Sequence, residues 1–239
     1  EHGREADMEE CEDRQKIYSM EERGPSRGLA GIKEVLTEEK IKTLKKLGTP
    51  EGVASALAER QKFYEEFYGK DLPNVIVHHN YVVGKGEGNE RPQIYAFQEK
   101  MENYVSLGRS INRLMSDSSI DDLTEHRFDK DLIRDKVENG VIPRFDPNTT
   151  KQIINELRMF TQKTRQMIAD YGFAPDLTGG AIIITKEGKV RLFDIDKTWT
   201  THPYFKNEKG KQTRNLDAPL YILETFADEM EKAISGRKG

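Results

Sequence analysis

Ala174-Pro175-Asp176-Leu177-Thr178-Gly179-Gly180-Ala181 runs into Ile182-Ile183-Ile184 and, past a turn, into Val190-Arg191-Leu192-Phe193-Asp194-Ile195-Asp196. The apolar runs 181–185 and 189–193 flank Glu187-Gly188, a pairing of strand and turn signals that predicts a tight β-hairpin. Asp176 stands just before this hairpin and Asp194 closes it. The two carboxylates are therefore expected at one end of a two-stranded ribbon, where they can converge on a nucleophile and a metal ion. Phosphoryl transfer uses such a pair, one carboxylate orienting the attacking hydroxyl and the other holding magnesium against phosphate oxygens.

Upstream of the hairpin, Ile153, Ile154, Leu157, Phe160, Met167 and Ile168 recur at helical spacing after Pro147, so a helix with one buried face runs up to Tyr171-Gly172, capped by Asn148 or Thr149. Downstream, Leu220, Leu223, Phe226, Ala227, Met230 and Ile234 predict a final amphipathic helix. Towards the amino terminus, Thr49-Pro50-Glu51 starts a helix that Gly69 ends, with Leu57, Phe63, Tyr64 and Phe67 on its buried face. Residues 75–77 and 81–83 read as strand, and 84–89 as the turn to a second strand over 93–98. Residues 16–20 predict a short strand facing an earlier one near 4–10, and a charged helix is expected over 38–46 behind Thr37. Residues 103–140 read as polar and mainly helical. The order implies an α+β chain with a sheet-containing first part, 1–98, and a helical second part, 99–239.

Composition narrows the function. Of 239 residues, 38 are basic and 42 acidic, so no general basic field argues for nucleic acid or an anionic membrane surface as partner. No apolar stretch approaches the roughly 20 residues that span a bilayer, the amino terminus is charged, and the mean hydropathy is −0.78. The single cysteine, Cys11, excludes an internal disulfide framework, and a cytoplasmic location is expected.

The stretch 175–196 resembles the protein-kinase-like superfamily, particularly its bacterial aminoglycoside-phosphotransferase-like and small-kinase-like branches. In that template an Asn follows the catalytic Asp by five residues, and a metal-binding Asp comes on the next strand. Asp176 matches the first Asp and Asp194 the second, whereas the Asn position is Ala181 and the usual His-Arg before the first Asp is Ala174-Pro175. The resemblance implies a two-lobed kinase-like fold with a small N-lobe, 1–98, and a reduced helical C-lobe, 99–239. It implies Asp176 as catalytic base, Asp194 as magnesium ligand, and ATP as nucleotide. Glu59 would be the ion-pairing glutamate of the helix at 50–68. Gln98, Glu99 and Met101 would lie in the hinge that holds an adenine. Ile17-Tyr18-Ser19 would occupy the strand of the phosphate-gripping lysine, with Ser19 at the lysine position and Lys16 on the opposite face. Asp196, two residues beyond Asp194, would share its face on extended backbone and supply a replacement oxygen to the metal.

Other residues carry blander readings. His78 and His79 are adjacent on a strand, so one core and one solvated histidine is expected rather than a metal pair. Residues 84–89 resemble a phosphate loop in composition only and read as a hairpin turn. Trp199, His202 and Tyr204 read as packing residues, and the acidic cluster at 9–13 as a solvated turn. Three functions stay open: a degenerate nucleotide-binding member, an active ATP-dependent phosphotransferase acting on an unknown small-molecule or protein acceptor, and a non-catalytic α+β interaction protein.

Overall fold

Thr49 caps the first described helix as its composition dictates, its Oγ1 accepting from Gly52 N at 3.2 Å, and Pro50 takes the first helical position, where a missing N–H costs nothing. The computed structural model describes residues 8–10, 15–20, 49–84, 93–99, 101–118, 122, 125–177, 181–193, 195, 198–200 and 217–236. Helix α1 is Pro50–Gly69. The helix expected over 38–46 and Cys11 lie outside the described residues. The chain is α+β and divides into two compact units, Glu1–Phe67 with Ile76–Met101, and Tyr68–Val75 with Glu102–Gly239.

In the first unit, β1 (Met8–Glu10), β2 (Gln15–Met20), β3 (His79–Gly84) and β4 (Gln93–Glu99) form an antiparallel sheet in the order β1-β2-β4-β3. Of the strand expected near 4–10, residues 8–10 pair with β2 in the register Met8↔Tyr18, residues 4–7 lying outside the described residues, and β2 runs beside β4 with Ser19 opposite Tyr95. Buried Gln61 joins α1 to β3, its Oε1 accepting from His79 N at 2.9 Å while its Nε2 donates to Glu65 Oε1 at 2.8 Å. Leu57 and Tyr64 are buried as expected, whereas Phe63 and Phe67 are only half-buried and stack on each other; Val53, Ala54 and Ala56 complete the buried face.

The second unit is built on two long helices, α4 (Pro147–Tyr171) and α5 (Asp217–Gly236). Before them come β5 (Val105–Ser106), α2 (Gly108–Asp117), α3 (Lys130–Asp135) and a π-helical turn, Lys136–Val141. The α4 cap is Asp146 rather than Asn148 or Thr149. Its Oδ1 accepts from Asn148 N at 2.8 Å and Thr149 N at 3.1 Å, which frees Pro147 to be the first helical residue. The Thr149 hydroxyl, then the two backbone amides, hold the Asp146 carboxyl below its ordinary pKa. Gly172, at φ 76°, ends α4 in the left-handed conformation. Ile153, Leu157, Phe160 and Met167 of α4 and Leu220, Leu223, Phe226 and Met230 of α5 are all fully buried. The rim of the helix pair is ionic: Arg165 meets Glu224 and Asp217, and Arg158 meets Asp228 and Glu231. Among the described residues no helix is long and apolar enough to cross a membrane.

The boundary differs from a single cut after residue 98. It falls between Met101 and Glu102, and Tyr68–Val75 joins the second unit. Tyr68 stacks on Phe160 with ring centroids 5.3 Å apart and its hydroxyl bonds Thr164 Oγ1 at 2.7 Å; Asp71 pairs with Lys163; Val75 O accepts from Leu192 N at 2.7 Å. The stretch 75–77 does not extend β3, which starts at His79.

The predicted hairpin forms from β7 (Ile182–Ile184) and β8 (Val190–Leu192), in the register Ile182↔Leu192, and β5 pairs with β7 on its other edge. Gly188 N donates to Thr185 O and Thr185 N to Lys189 O, both at 2.9 Å, which makes a three-residue loop with Gly188 at φ 75°. A β-carbon there would stand 2.3 Å from Thr149 Cγ2, so left-handed backbone and close approach to the first turn of α4 both demand glycine. Gly188→Ala is expected to cost about 1–3 kcal/mol in denaturant unfolding. Removing the Thr149 methyl with Thr149→Ser should recover the steric part, leaving the double variant more stable than the sum of the singles by about 0.5 kcal/mol or more; strict additivity would contradict the contact.

Candidate functional site

The candidate site grows from the end of α4. Gly172 turns the chain into β6 (Phe173–Pro175), which pairs antiparallel with β9 (Thr198–Thr200), Pro175 opposite Thr198. Asp176 follows directly. Six residues later the chain enters β7, and the hairpin returns it through β8 to Phe193, whose N–H donates to Ala181 O at 2.9 Å. Segments 176–181 and 193–197 are therefore tied together at both ends, by Pro175↔Thr198 at one and by Ile182↔Leu192 with the Phe193–Ala181 bond at the other. Asp176 belongs to the first of these tied segments and Asp194 and Asp196 to the second; the two latter lie outside the described residues.

Packing fixes what flanks Asp176. Phe173 and Ala174 of β6 and Leu177 after it are buried, as are Leu192 of β8 and Ile195. Asp176 is itself buried, with 8% of its surface exposed. Helix α4 reaches the hairpin from beneath: Glu156 Oε2 accepts from Val190 N at 2.9 Å and its Oε1 meets Lys189 Nζ at 3.0 Å. A single carboxylate so satisfies a β8 amide and a lysine together, which holds β8 against the helix that also delivers β6.

Ala181 is wholly buried and its carbonyl is engaged by Phe193. The position that the resemblance aligns with the template's Asn thus carries a wholly buried methyl group. Among the described residues no three His, Cys, Asp or Glu side chains come together as a metal-binding group.

The residues that the resemblance assigns to a nucleotide belong to the first unit. Gln98 is buried and sits opposite Lys16 on β2 and His79 on β3. Glu99 is exposed and opposite Gln15; the β3 register stops at Gln98, so Glu99 lies one residue past the end of the β3 ladder. Met101 is half-buried at the end of this unit, and Glu59 lies on the exposed face of α1. The two histidines separate as strand alternation requires. His79 is buried, stacked against Tyr81, while His78 is exposed and donates from Nδ1 to Glu65 Oε1 at 2.8 Å.

In the stretch that reads only as polar and mainly helical and the loop after it, the fold gathers Arg109, Lys136 and Arg144 around one recess of about 300 Å³. These cations are up to 35 residues apart in sequence, from the start of α2 to the loop before α4, so no local charge pattern announces them.

Comparison with protein-family models, curated proteins and solved structures gave no match.

Because Ala181 is wholly buried, replacing it with the template residue should not be benign. Ala181→Asn is expected to destabilise the chain by about 1–3 kcal/mol, through overpacking and a buried amide, as read by urea unfolding. An unchanged or raised midpoint would show that the site has room for an asparagine side chain.

Proposed function

We propose that the chain is a kinase-like nucleotide-binding domain, degenerate in its chemistry and with weak or absent phosphotransfer. The observation that supports the reading is the pair of pairings β6·β9 and β7·β8, which bracket the sequence stretches that carry Asp176 and Asp194. Element order supports it: in the first unit a strand (β2), a helix (α1) and a strand pair (β3, β4) lead to Gln98-Glu99, and in the second a long helix feeds a short strand, the Asp176 segment and a hairpin.

Residue roles follow from the resemblance. Asp176 would accept the proton of an attacking hydroxyl. Asp194, with Asp196 beside it, offers the hard carboxylate oxygens that magnesium prefers, and the ion when bound would neutralise charge on the phosphate oxygens. Gln98, Glu99 and Met101 would present backbone groups to an adenine. Glu59 would serve as the helix glutamate. The degenerate reading rests on Ala181, a buried methyl where the template needs a metal-binding amide, and on Ser19 at the position of the phosphate-gripping lysine.

A thermal-shift series with ATP and ADP, each with and without magnesium, tests this directly. Native-state binding at 100 times Kd would stabilise the chain by about 2.7 kcal/mol, so a rise in Tm is expected with ATP, reduced in Asp194→Asn and retained in Asp176→Asn. Phosphate release is expected to stay at background. Steady turnover abolished by Asp176→Asn would replace the degenerate reading with an active phosphotransferase, and no shift with any nucleotide would leave an α+β interaction protein.

A further inference from the structure

The recess in the second unit is lined by Tyr104, Ser106, Arg109, Lys136, Gly140 and Arg144, and its volume is about 300 Å³. Three of these residues are cations and none is a carboxylate. A second recess, between α3 and α5, gives the contrast: there Arg134 and Lys232 converge on Glu229, at 3.4 and 2.7 Å, and Glu138 adds another carboxylate, so the cations are already answered. Around the first recess the acidic residues nearest in sequence do not enter the lining. Asp135 accepts from Asn139 Nδ2 at 2.7 Å, and Glu138 faces the other recess.

Local backbone brings the cations together. Lys136 opens the π-helical turn, in which Ile142 N reaches back five residues to Val137 O at 2.9 Å. Such wide turns are uncommon and concentrate at functional sites. The Lys136 stem crosses Gly140 so closely that a β-carbon there would stand 3.2 Å from Lys136 Cδ. Arg144, at the end of the following turn, reaches Tyr104 O from Nη1 at 3.5 Å, which places its guanidinium over the strand that leads to α2. Buried Ser106 accepts from Arg109 N at 3.3 Å, so its hydroxyl proton stays available to an acceptor in the recess.

We propose that the recess formed by Arg109, Lys136 and Arg144 is a binding site for a phosphate group. Two guanidiniums suit bidentate pairing with tetrahedral oxyanions, the ammonium adds a point charge, and Ser106 and Tyr104 supply neutral donors. A charge of three with no internal counter-charge favours a dianionic group over a single carboxylate, and the volume admits a phosphorylated head group rather than a folded surface. The site does not depend on the nucleotide reading, because it uses none of its residues.

Isothermal titration of the full chain with inorganic pyrophosphate, in magnesium-free buffer at low salt, reads the site. Binding is expected to weaken about tenfold or more in each of Arg109→Ala, Lys136→Ala and Arg144→Ala, and to fall as salt rises. It is expected to be unchanged in Lys186→Ala, an exposed cation of the β7–β8 loop, and in Asp194→Asn, which separates this site from the nucleotide one. Gly140→Leu fills the recess without altering charge and should abolish binding while circular dichroism confirms the fold. A phosphoserine peptide and inositol hexakisphosphate then distinguish a modified protein from a free phosphate as the source, and each should show the same dependence on Arg109, Lys136 and Arg144. Absent binding to the wild-type chain, binding indifferent to the three cations or to Gly140→Leu, or stronger binding by a glutamate-rich peptide than by pyrophosphate would overturn the proposal.

Discussion

A β-strand pairing of three residues, β6 with β9, and one hydrogen bond, from Phe193 N to Ala181 O, close the loop pair on which the functional reading rests. Neither is strong alone; a net hydrogen bond contributes about 1 kcal/mol. They hold because each end is buried in something larger. At one end Phe173 and Ala174 pack beneath the last turn of α4, and at the other Ile182, Ile183 and Ile184 are wholly enclosed, with β5 on one side and β8 on the other. Fully buried backbone must find partners or lose several kcal/mol per group, so the ladder is enforced by the apolar run itself.

Helix α4 carries the rest of that constraint. Its Leu157, Phe160 and Met167 are fully buried, its Arg158 and Arg165 bond α5, its Glu156 grips β8, and its Thr164 receives the Tyr68 hydroxyl. Tyr68, in the last turn of α1, and Val75, just beyond the helix, both bond to the second unit, and the stretch Tyr68–Val75 groups with it. The same helix thus delivers Asp176, fixes the hairpin and captures a piece of chain from far upstream.

Much of this was legible in the residues. Thr49-Pro50, the apolar spacing of α4 and α5, Glu187-Gly188 and the strand at 16–20 each announced an element, because caps, turns and periodicity are local signals. What escaped was non-local. Asp146 rather than Thr149 caps α4, since both side chains are good caps and only geometry decides which amides they reach. The stretch 75–77 has the composition of a strand, but the carbonyl of its first residue, Val75, answers to Leu192 N, more than a hundred residues away. Phe63 and Phe67 read as core and are half-exposed, their stacking replacing part of the burial. The basic recess needed three turns of chain to meet. Of the candidate site, the hairpin and the place of Asp176 were readable; the burial of Ala181, which turns a missing motif residue into a packed position, was not.

The kinase-like reading therefore rests on how two aspartate-bearing segments are tied, and its degeneracy on what fills position 181. Amide hydrogen exchange of the full chain, with and without ATP and magnesium, addresses both units at once. The account predicts slowed exchange in peptides covering residues 93–101 and 176–197, with the exposed α1 face around Glu59 less affected. Unchanged exchange in both segments at saturating nucleotide, or protection confined to other parts of the chain, would contradict it.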